Sequence, residues 1–145
     1  MQEPGASSTS GPEGTFALVS LVWLRGGSKG IYGGTAPGLL IAREGGRISF
    51  VTQTEKVFEA EGHEIGVNWP WWEFFGAGVH FKVAGKTYRL SFGEPHDFEG
   101  PVMGKRERER LVSTLAGRAG LDFTGISSID EALASTKAWK SYLNT

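Results

Sequence analysis

No cysteine occurs among the 145 residues. Disulfides, thiolate zinc sites and cysteine nucleophiles are therefore excluded. An excess of charge is also lacking, since 15 Lys and Arg stand against 16 Asp and Glu for a formal charge of −1. A dedicated nucleic-acid binder shows a strongly basic domain, so no nucleic-acid partner is expected. Long apolar runs are missing too. The longest, Phe16–Leu24, falls far short of the roughly 20 residues a helix needs to cross a hydrocarbon core, so no transmembrane segment is expected. Nor is there a basic leader. Residues 1–14, MQEPGASSTSGPEG, hold two Glu and no Lys or Arg, whereas a secretory signal starts with positive charge. Rich in Gly, Pro, Ser and Thr, this stretch reads as a disordered tail, and the expected location is cytoplasmic. The chain is 39% hydrophobic and 12% aromatic, which indicates a packed core. A chain of this length buries about 70% of its unfolded surface and needs neither disulfide nor metal to hold together.

The order of elements follows from apolar pattern and turn residues. Phe16–Leu24, FALVSLVWL, suits a buried strand. The Gly-dense stretch at residues 25–35, RGGSKGIYGGT, reads as a loop. Residues 38–52 place two β-rich runs around Gly45-Gly46, a two-residue hairpin turn. That turn sets Glu44 opposite Arg47 and Ile41 opposite Phe50. Residues 54–60 form a short strand. Residues 62–70 alternate, with Ile65, Val67 and Trp69 on one face. The clearest hairpin is residues 78–92, turning at Ala84-Gly85. It pairs Phe81 with Tyr88 and Val79 with Leu90 on the apolar face, and His80 with Arg89 and Lys82 with Thr87 on the other.

After a turn-rich connector the texture becomes helical. Leu111, Val112, Leu115 and Ala119 make one stripe through residues 105–120, ended by Gly117 or Gly120. A second helix is predicted to begin at Ser128, where Ser128 and Glu131 fit a capping box. Ile129, Leu133, Thr136, Trp139 and Leu143 then share one side. The fold class is mainly β with α: an antiparallel bent barrel or sandwich of about seven strands with two C-terminal helices.

These patterns resemble the GRAM-type branch of pleckstrin-homology-like domains. The residues carrying the likeness are Gly38 with Leu39 and Leu40, Val57-Phe58, Ile65 near Val67, and Tyr88-Arg89-Leu90-Ser91-Phe92. It covers roughly residues 15–118. The resemblance implies a bent barrel capped by a helix, and a binding module for lipid headgroups, membrane surfaces or proteins. Two departures stand out. A second C-terminal helix follows the first, and the alternating basic pair of phosphoinositide-binding members is missing, since Glu44 and Gly45 follow Arg43. The expected organisation is a tail at 1–14, a PH-like barrel with its capping helix at 15–120, and an extra helix packed on the barrel at 121–145.

Candidate site residues come from two places. The loop Arg25-Gly26-Gly27-Ser28-Lys29-Gly30 offers backbone N–H groups with Arg25 and Lys29 as charge, and the resemblance puts headgroup contacts there. The cluster Trp69-Pro70-Trp71-Trp72 offers apolar anchors, Trp71 and Trp72 above all. The plainer reading directs these rings into the core or under the second helix. His80, His96, Asp97 and Glu99 do not converge in sequence as metal ligands must. No G-x-S-x-G elbow occurs. The expectation is thus a non-catalytic module with no metal and no cofactor, attaching through Arg25, Lys29, Trp71 and Trp72 to an anionic membrane surface or a protein partner. A carrier of a small apolar ligand within the barrel is the alternative.

Overall fold

The computed structural model describes residues 16–25, 35–70, 78–93, 104–121 and 132–143. Seven strands come first: β1 (Phe16–Arg25), β2 (Thr35–Arg43), β3 (Arg47–Thr52), β4 (Lys56–Glu61), β5 (Ile65–Asn68), β6 (Gly78–Val83) and β7 (Lys86–Ser91). Helices α1 (Lys105–Ala119) and α2 (Thr136–Leu143) follow. The strands form one antiparallel sheet in the order β4-β3-β2-β1-β7-β6-β5. Its edge strands β4 and β5 are joined by a single 3-10 turn, Gly62–Glu64, but do not pair, so the barrel stays open.

The sheet separates two cores. On its concave side Val22, Leu40, Ile48 and Phe50 meet Phe58, Val79, Phe81 and Leu90. On the convex side of β1–β3, Val19, Leu21, Trp23, Leu39, Ile41 and Val51 are covered by Leu111, Val112, Leu115 and Ala116 of α1. Strands buried on both faces read as continuous apolar runs, which is why β1 and β2 show no alternation. Strand β6 meets water on one face and does alternate, with Phe81 buried and Lys82 exposed. Helix α1 therefore lies on the outer face of the sheet rather than across the open end of a barrel.

The β6–β7 hairpin has the expected register, with Phe81 opposite Tyr88 and Val79 opposite Leu90. Its turn residues Ala84 and Gly85 have φ of 52° and 84°, as a two-residue turn twisted with its strands requires. The β2–β3 hairpin corrects the sequence reading. Its loop is Glu44–Gly46, one residue longer, and Leu40 rather than Ile41 stands opposite Phe50. Gly45 and Gly46 take φ of 101° and 97°, closed by a 3.0 Å bond from Gly46 N–H to Arg43 O. Arg47 reaches Glu61 on β4 at 2.9 Å.

The C-terminal segment differs from one continuous stripe. Helix α1 ends at Gly120, whose φ is 77°, and Leu121 N–H donates to Ala116 O at 2.8 Å. The capping box at Ser128 and Glu131 lies outside the described residues. Leu133–Ser135 is not helical, and α2 starts after Ser135, whose Oγ accepts the Ala138 N–H at 3.2 Å. Leu133 joins the convex core while Trp139 enters the concave one. The reason is an edge. Strand β7 pairs with β1 only over Trp23–Arg25, and the earlier part of β1 offers groups beyond it. There Ala134 N–H donates to Val19 O at 2.7 Å, and Ser20 Oγ donates to Ala134 O.

Candidate functional site

Among the described residues, two clefts carry side chains capable of recognition. The first, of about 560 Å³, opens beside the C-terminal turn of α1. Because Arg43 ends β2 and Arg47 opens β3, the hairpin brings both to its rim. Lys56 arrives from β4 and Arg118 from α1, with Ser49 and Val51 also on the lining and Glu59 as its one carboxylate among the described residues. Some of this charge is engaged internally. Arg43 Nη2 donates to Ala119 O at 2.9 Å and so caps α1. Lys56 Nζ meets Glu59 at 2.9 Å, and Arg47 lies 3.9 Å from Glu59 besides its contact with Glu61. Such half-exposed pairs are weak, roughly 0–1 kcal/mol each. They leave the cleft a cationic surface that can hold an anion against a rigid hairpin.

The second cleft, of about 460 Å³, lies between β1, the end of β7, α1 and the 133–136 segment. Leu21, Trp23, Phe92 and Leu133 give it apolar walls, and Arg108 reaches it from α1. The indole Nε1 of Trp23 and the Nε of Arg108 are both buried without a hydrogen-bond partner. An unpaired buried donor costs roughly 1–3 kcal/mol.

Of the residues singled out in the sequence, Arg25 is described, whereas Lys29, Trp71 and Trp72 lie outside the described residues. Arg25 stands at the far end of β1 from Phe16, which pairs with Arg43, so it does not converge with the basic cleft. It is in register with Arg89, and Arg89 with His80. Trp69 is half-buried, stacked on Phe92 at 6.2 Å, with Lys140 of α2 5.3 Å from its ring centroid. Trp69 thus packs under the second helix. Among the described residues, no group of three His, Asp or Glu side chains could hold a metal. No described helix is long and apolar enough to cross a membrane.

Arg43, Arg47, Lys56 and Arg118 were not among the sequence candidates. One signal was legible: two arginines flanking a glycine turn must become neighbours across a hairpin. Arg118 needed the docking of α1. Comparison with protein-family models, curated proteins and solved structures finds no match.

Proposed function

We propose that this chain is a non-catalytic binding module that attaches to an anionic membrane surface through its basic cleft. The observation carrying this reading is the meeting of Arg43, Arg47, Lys56 and Arg118 around one cleft, where Glu59 is the one carboxylate among the described lining residues and Glu61 pairs with Arg47 beside it. Cations near an anionic leaflet contribute about 1 kcal/mol each, which suits weak, reversible, peripheral attachment. The likeness to GRAM-type domains belongs to the same proposal, and the run of seven antiparallel strands followed by a helix supports it. The carrier alternative gains no support, because the concave interior is filled by Phe50, Phe58, Phe81 and Trp139.

Sedimentation with vesicles tests the reading. Binding is expected to phosphatidylcholine mixed with phosphatidylserine and not to phosphatidylcholine alone. Lys56→Ala and Arg118→Ala should each weaken it about fivefold. Equal binding to neutral vesicles, or undiminished binding by the double variant, would remove the cleft from this role.

A further inference from the structure

The cations of the basic cleft do not stand open to every anion. Strand β4 buries Phe58 on the concave side. The next residue, Glu59, faces the other way, in register with Ser49, and lines the cleft with it. From there its carboxylate meets Lys56 Nζ at 2.9 Å and lies 3.9 Å from Arg47 Nη1, while Arg47 Nη2 holds Glu61 at 2.9 Å. The Glu59 side chain is 27% exposed, against 50% for Arg47 and 55% for Lys56. An entering anion therefore competes with a carboxylate already in place and better covered than the cations it holds.

We propose that Glu59 is a specificity-determining residue of the cleft, an internal counter-ion that turns away singly charged carboxylates and admits anions of higher charge. This rests on the reading of the cleft as an anion site. Exchanging Glu59 for a bound carboxylate replaces one half-exposed pair by another of the same kind, worth little in either case. The incoming ion also loses its freedom of movement, which Glu59 does not. A multiply charged phosphate differs. It brings more charge than the carboxylate it displaces and meets arginine bidentately. It also reaches Arg118, exposed on the same lining. On a membrane, the same competition favours a densely charged surface over a sparse one.

Titration with pyrophosphate, followed at the Ser49 amide resonance, tests this without vesicles. Pyrophosphate should shift that resonance saturably, and acetate should bind at least about tenfold more weakly. Glu59→Gln, nearly isosteric, should tighten pyrophosphate about fivefold. Glu44→Gln removes the same charge from an exposed turn residue off the lining and should change affinity less than about twofold. The proposal is overturned by a Ser49 signal unmoved at millimolar pyrophosphate, by acetate binding as tightly, or by a folded Glu59→Gln that gains no more than Glu44→Gln. The comparison of pyrophosphate with acetate uses the unaltered protein, so it decides the matter even where a variant misfolds. Vesicle binding with a failed pyrophosphate series removes the role of Glu59 and keeps the membrane reading. The expected pyrophosphate series without vesicle binding does the reverse.

Discussion

Ser20 joins three parts of the chain through one hydroxyl. It lies mid-strand in β1, accepts the buried Trp139 indole N–H at 2.8 Å and donates to the Ala134 carbonyl. Ser20→Ala leaves that indole unpaired in the interior and should destabilise the protein by about 1–3 kcal/mol. The readout is a lower urea midpoint at unchanged slope. Gly38 is constrained by space. A Cβ there would sit 2.5 Å from Val51 O and 2.9 Å from Phe50 Cζ. The carbonyl belongs to the paired β3 backbone and cannot yield cheaply, so Gly38→Ala should cost about 1–3 kcal/mol. Gly66→Ala, whose Cβ would meet Lys82 Cβ at 3.5 Å, serves as the near-neutral control in the same melts. The sequence could flag Ser20 only as a polar interruption of an apolar run. Its partners lie more than a hundred positions away, and no local pattern links them.

At the scale of elements, the two hairpins show why one register was readable and the other was not. In β6–β7 the apolar residues of both strands share a face, so a slip would expose Phe81 or bury Lys82. In β2–β3, Leu39 and Ile41 serve the convex core while Leu40 and Ala42 serve the concave one. Either register buries apolar side chains, and alternation cannot choose between them. The glycine loop chooses, helped by a 2.7 Å bond from Gly62 N–H to Gly46 O that ties its tip to the turn after β4. The β6–β7 turn carries a correctable strain, because Ala84 holds φ of 52° where Asn or Gly is at ease. Ala84→Asn should raise stability by about 0.5–1 kcal/mol, seen as a higher thermal midpoint.

For the whole molecule, a formal charge of −1 means that no global field steers it to an anionic surface. Attraction must come from the local concentration of Arg43, Arg47, Lys56 and Arg118. Vesicle binding should therefore fall steeply as ionic strength rises, since the Debye length shrinks from about 10 Å at 0.1 M to about 3 Å at 1 M. The same scale explains the C-terminal segment. Crossing the edge of β1 at Ala134 lets Leu133 reach one core and Trp139 the other, so a short stretch of chain fastens both sides of the sheet.

Alternation, glycine turns and apolar stripes were enough to establish a mainly β chain with helices at its end, the β6–β7 register and the helical span of α1. These rest on contacts between near neighbours, and side-chain period alone encodes them. Three features required the folded chain: the one-residue-longer β2–β3 loop, the split of the last helical pattern between two cores, and the assembly of both clefts. Each depends on which face of a doubly buried strand meets which distant partner, a choice made by packing and by the demand that buried polar groups be paired.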